Sequence, residues 1–168
     1  HSAEGFKQKI LANDGTDLAS TTLATQSALS IPLGGYERIM GKYTIWYDSD
    51  NTNELKFRIA TLAQSDGSTA VASTIYTDVT ARAEESTAAD TPAAANIEGT
   101  GTYSTDGAGE IVTIDVGADT SGLFLGVEFN VLVTAATKSN LVFQAALITG
   151  SASGTHLLAG SNIVYKKW

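Results

Sequence analysis

The chain has 168 residues, a mass of 17.4 kDa and a formal charge of −8, with 43% hydrophobic and 17% charged residues. That length predicts a single domain over residues 1–168, able to bury roughly 70% of its unfolded surface without staples. Zero Cys removes disulfides, thiol catalysis and thiolate metal sites, and a pI near 4.5 argues against nucleic acid, which requires a basic face.

A mean hydropathy of +0.03 is too high for a disordered chain. No stretch approaches the ~18 apolar residues that span a membrane. The dominant signal is alternation with period two. Residues 1–9 read as an N-terminal arm, overlapping a first strand from Lys7 to Leu11. Asn13-Asp14-Gly15 is a turn. Ala28 to Ile31 is a short strand ending at Pro32, and Gly34-Gly35 redirects the chain. Arg38 to Tyr47 is a strand apolar on both faces, with Trp46 and Tyr47 pointing opposite ways. Asp48-Ser49-Asp50-Asn51-Thr52-Asn53 then reads as a hairpin loop. In Glu54 to Ile59 the apolar Leu55, Phe57 and Ile59 oppose Glu54, Lys56 and Arg58, which makes a strand with one wet face.

Val71 to Tyr76 and Glu110 to Val116 are further strands. Between them the pattern breaks. Thr80 to Asn96 is Ala-rich and interrupted by Pro92, and it reads as one short helix or an ordered loop. It belongs to a long excursion, residues 78–98, and is the best candidate for contact with a neighbouring subunit. Leu123 to Val133 is the longest strand, with Leu123, Leu125, Val127, Phe129, Val131 and Val133 on one face. Leu141 to Ile148 follows, and residues 163–168 form a C-terminal strand or arm. Eight or nine strands with turn residues between them predict an all-β fold, an antiparallel, jelly-roll-like β-sandwich.

Chemistry-bearing patterns are sparse. His156 lacks carboxylates at a metal-like spacing and reads as a surface or packing residue. Asp48, Asp50 and Asn53 cluster oxygen donors that suit calcium, but the glycine and distant glutamate of a full calcium loop are missing. A hairpin loop, where Asp and Asn fold back on their own backbone, is the favoured explanation, so no cofactor is expected, with weak calcium as the alternative. Asp78, Glu84, Glu85 and Asp90 read as a solvated acidic face rather than paired catalytic carboxylates. Gly150-Ser151-Ala152-Ser153-Gly154 has Ala where a nucleophile elbow needs Ser. The expectation is a protein that is not an enzyme. Phe6, Tyr36, Trp46, Tyr47, Tyr165 and Trp168 are the candidate anchors of an interface. The alternative for Trp46 is a core position.

Several stretches resemble small virion proteins of tailed bacteriophages. They are Lys9-Ile10-Leu11-Ala12-Asn13-Asp14-Gly15, Ser27-Ala28-Leu29-Ser30-Ile31-Pro32, Tyr43-Thr44-Ile45-Trp46-Tyr47 and Leu55-Lys56-Phe57. Leu158-Ala159-Gly160-Ser161-Asn162-Ile163-Val164-Tyr165-Lys166-Lys167 is similar to the C-terminal strand of those proteins. The resemblance implies a non-enzymatic capsid decoration or cement protein, assembled in a host cytoplasm and carried in the virion. Its partners would be the major capsid protein and itself as a homotrimer, with neither nucleic acid nor membrane involved. The alternatives are a tail or head-fibre component, or a carbohydrate-binding module using Trp46, Tyr47 or Tyr36 as a stacking platform.

Overall fold

The computed structural model describes residues 5–49, 55–83, 100–114, 123–150 and 154–168. Twelve strands lie among them: β1 (Lys7–Ile10), β2 (Ala24–Thr25), β3 (Ile31–Leu33), β4 (Arg38–Asp48), β5 (Leu55–Ala63), β6 (Ser73–Ala83), β7 (Thr100–Ser104), β8 (Val112–Ile114), β9 (Leu123–Val133), β10 (Ser139–Leu147), β11 (His156–Leu157) and β12 (Asn162–Lys167). Eight of these have four residues or more; of the other four, β8 lies inside the stretch Glu110 to Val116 read as a strand, β3 begins at Ile31, and β2 and β11 are too short for alternation to reveal. Among the described residues one 3₁₀ turn occupies Ser27–Leu29.

The strands build two antiparallel sheets packed face to face. The seven-stranded sheet runs β1-β12-β4-β9-β6-β7, with β11 also paired to β4. The five-stranded sheet runs β2-β10-β5-β8, with β3 also paired to β10. From β3 onward the chain changes sheet at each step except β6–β7 and β11–β12. The fold is therefore the expected all-β sandwich, wound by crossing between layers rather than by hairpins within one.

The core forms because the alternating residues of both sheets meet. Ile39, Tyr43, Ile45 and Tyr47 of β4 are buried, as are Leu125, Val127, Phe129 and Val131 of β9. Four aromatic rings bridge the layers. Tyr43 lies 5.4 Å from Phe129 in its own sheet and 5.3 Å from Phe143 in the other, and Phe143 stacks on Phe57 at 5.3 Å. Such pairs add stabilisation beyond the area they bury. The Tyr43 hydroxyl donates to the Leu29 carbonyl, and burial pushes its ionisation far above the usual phenol range.

Four expectations are corrected. β4 and β5 belong to different sheets, so the stretch following Asp48 is a crossover and not a hairpin. Pro32 does not stop a strand but lies inside β3, which pairs only with β10; its missing N–H is tolerated there. Thr80 to Ala83 continue β6 instead of starting a helix, because Val79 and Ala81 keep alternating inward opposite Val127 and Leu125 of β9. Residues 84–96 of that reading lie outside the described residues. Finally, the two supposed arms are zipped to each other: Lys7 pairs with Tyr165 and Lys9 with Ile163 in the β1–β12 ladder.

A strap links β1 of one sheet to β2 of the other along the side of the sandwich. Leu11, Gly15 and Leu18 donate their amides to the carbonyls of Ser161, Leu157 and Thr155, and the Asp14 carboxylate accepts from the Ala159 amide. On the opposite side, the turn at Asp106 to Gly109 is drawn against β5 by a bond from the Thr61 amide to the Gly107 carbonyl. Gly109 sits at φ +68 with the Ile59 carbonyl so near that a Cβ would fall 1.8 Å from it. Only glycine fits there.

Candidate functional site

The outer face of the seven-stranded sheet gathers the exposed large side chains. Because Ile39, Tyr43, Ile45 and Tyr47 turn inward, Arg38, Met40, Lys42 and Trp46 of β4 turn outward. Strand register then arranges the face in rows. One row reads Lys166, Met40, Asn130, Tyr76, Tyr103 across five strands. The next reads Val164, Lys42, Glu128, Asp78, Gly101.

Three features stand on this face. Phe6, Met40, Lys42, Val164 and Glu128 help to line a shallow depression of about 300 Å³. Trp46, about a third exposed, leans on Phe124 with 5.1 Å between ring centres. Tyr76 and Tyr103, both half exposed, lie 4.7 Å apart in a tilted pair. Beyond Tyr103 the β7 edge of one sheet and the β8 segment of the other flank a cleft of about 540 Å³, lined by Gly101, Thr102, Tyr103, Glu110, Ile111, Val112 and Thr113.

Of the six anchors expected from the sequence, four are exposed. Phe6 and Trp46 face outward from the seven-stranded sheet. Tyr36 stands out on the turn before β4 at φ +56, a left-handed conformation unusual for a ring-bearing residue. Trp168 is exposed with the Lys166 ammonium 5.4 Å from its ring centre, a cation–π contact. Tyr47 and Tyr165 correct the expectation. Their strand parity turns them into the core, where they are 1% and 8% exposed, so neither is presented to a partner.

Asp48 ends β4, while Asp50 and Asn53 lie outside the described residues. Among the described residues no group of three His, Asp or Glu side chains is placed to hold a metal. Instead Asp48 faces His156, whose Nε2 is 3.9 Å from its carboxylate. The other ring nitrogen, Nδ1, is 3.0 Å from Asp17 and 2.9 Å from the Gly154 carbonyl. His156 thus ties the strap to β4, a packing role. Of the four acidic residues noted in the sequence, Asp78 is described, and it lies directly opposite Glu128.

Sequence reading passed over Met40, Lys42, Lys166, Tyr76 and Tyr103 as surface. Their signal was parity. Once Ile39 and Ile75 are assigned to the core, every second residue from Met40 and Tyr76 must share the outer face. The order of strands, which sets Lys166 beside Met40 and Tyr103 beside Tyr76, has no local signature.

No protein-family model matches this chain, and no curated protein matches it.

Proposed function

We propose that this chain is a non-enzymatic structural protein of a phage virion, a capsid decoration protein that binds the major capsid protein and itself as a homotrimer. The observation that carries the proposal is the outer face of the seven-stranded sheet. Met40, Trp46, Tyr76 and Tyr103 stand exposed there on paired strands, a rigid support, with Phe6 beside them just before β1. Exposed aromatic and Met side chains in such numbers are the composition of an interface core. The resemblance of the first and last strands to virion proteins points the same way. Modest affinity per copy suffices when a shell offers many equivalent positions.

The test is sedimentation of the purified chain with emptied capsids. Co-sedimentation that saturates at a fixed ratio to the major capsid protein supports the proposal. Absence of binding at any ratio contradicts it. Trp46→Ala and Tyr76→Ala should weaken capsid binding roughly tenfold or more each, the scale of an interface anchor.

A carbohydrate-binding module is the second reading, favoured by the tilted Tyr76–Tyr103 pair beside an open cleft. It requires a monomer that binds polysaccharide and loses that binding in Tyr103→Ala. A glycan array separates the two.

A further inference from the structure

Charge is distributed unevenly over the outer face of the seven-stranded sheet. Although the chain carries a net −8, six of its ten Lys and Arg fall on the adjacent strands β1, β12 and β4. Three of them, Arg38, Lys42 and Lys166, surround Met40 on the outer face. Among the described residues no carboxylate lies within ion-pair distance of any of the three. Around Tyr76 and Tyr103, two to three strands away, the charged groups among the described residues are Asp78 and Glu128, the latter facing Lys42 on its other side, with Glu110 across the cleft. Asp78 and Glu128 sit directly opposite each other on neighbouring strands, an arrangement that costs free energy in an isolated chain.

The two halves of the sheet therefore differ, one carrying the basic and apolar Arg38, Met40 and Lys166 and the other the acidic and aromatic Asp78, Tyr76 and Tyr103, with Lys42 facing Glu128 where they meet. We propose that these halves are the two sides of one contact: the Arg38, Met40, Lys166 patch of one copy docks on the Asp78, Tyr103, Glu110 side of the next. This deepens the self-association in the function proposed above and rests on it. Within the chain Lys42 stands opposite Glu128, whereas Asp78 has Glu128 on one side and Gly101 on the other, so a cation from the neighbour is received at Asp78, and the half-exposed Tyr76, Tyr103 and Ile111 supply apolar area to cover Met40. A second copy fits better than a foreign partner because the complement of each patch is carried on the same chain. In the homotrimer proposed above each copy gives one patch and receives the other, which makes the contact heterologous and closed into a ring.

The experiment is sedimentation of four proteins at matched concentrations. They are the wild type, Arg38→Glu/Lys166→Glu, Asp78→Lys/Glu110→Lys, and the quadruple variant with both sides reversed. All substituted positions lie on the outer face or the cleft rim. Asp78→Lys also sets an opposite charge against Glu128, so loss of assembly in that pair does not arise from a weakened fold. Each double variant should dissociate, with roughly a hundredfold rise in dissociation constant. The quadruple variant should recover assembly to within about tenfold of the wild type, because it restores opposite charges across the contact. A monomeric wild type overturns the proposal, as does a quadruple variant no better assembled than the doubles. Unchanged masses in the double variants, with shell binding retained, overturn this contact and leave the virion reading standing. Assembly that responds as expected in a protein that ignores capsids supports the contact and removes the virion reading instead.

Discussion

On the five-stranded sheet, part of the face that points away from the core is buried as well. Ala60, Leu62, Val142 and Ala146 alternate outward from β5 and β10, yet none is more than 3% exposed. On the seven-stranded sheet the outward residues Met40, Trp46, Tyr76 and Tyr103 are 37–53% exposed. Both sheets share one core, and both are built from long antiparallel strands. They differ in the outer face: one is closed by its own chain, where Arg58 donates to Gln144 and Gln144 to Thr25, and the other is left open with large apolar groups. An exposed apolar face carries a cost in aggregation that a protein retains when a partner covers it.

The largest expected effect tests what the sheets share. Phe143→Ala should cost about 3–5 kcal/mol by chemical denaturation, since its ring touches both Tyr43 and Phe57 and the space between the layers cannot collapse. A loss under about 1 kcal/mol would mean that the layers are not packed through this ring. The sharpest break in the comparison comes from placing one charge on each outer face. Val142→Asp should cost about 3–5 kcal/mol, because it leaves an unpaired charge in a buried site. Asn130→Asp on the open face should stay within about 0.5 kcal/mol. Equal costs would erase the distinction.

A smaller effect tests the turn that holds β5 against the end of β7. Gly109→Ala should cost about 1–3 kcal/mol, through both the positive φ and the approach of the Ile59 carbonyl. The smallest concerns acid. The Thr69 hydroxyl, then the Thr69 and Ser68 amides, hold the Asp66 carboxyl at about 2, below its ordinary 3.8. A folded value below the unfolded one contributes stability that is complete above about 4 and fades towards about 2. Asp66→Asn should therefore lower stability at neutral pH slightly and converge with the wild type near pH 2. A gap that stays constant across that range would remove the carboxylate from the turn.

Much of the fold was legible because burial leaves a period-two trace. β9 runs over the same residues that its alternation marks, Leu123–Val133, and the inward set is the set observed. β7 was not legible: Thr100–Ser104 carries a glycine and one aromatic, and its strand character comes from pairing with β6. The Asp48 crossover was misread because turn residues specify a reversal of the chain and not which sheet receives it. Of the anchors, Tyr36, Phe6, Trp46 and Trp168 were legible as aromatic surface candidates. Tyr47 and Tyr165 were not separable from them by composition, since only strand parity assigns them to the core. The charge division of the open face was hidden for the same reason as the crossover. Lys166 and Met40 are far apart in sequence, and tertiary pairing makes them neighbours.

The measurement that bears most directly on this account is the native mass of the wild-type chain in solution. The account predicts an assembly near three times 17.4 kDa that dissociates as salt is raised, because the contact joins unlike charges at the surface. A single chain of 17.4 kDa at every concentration and ionic strength would contradict it.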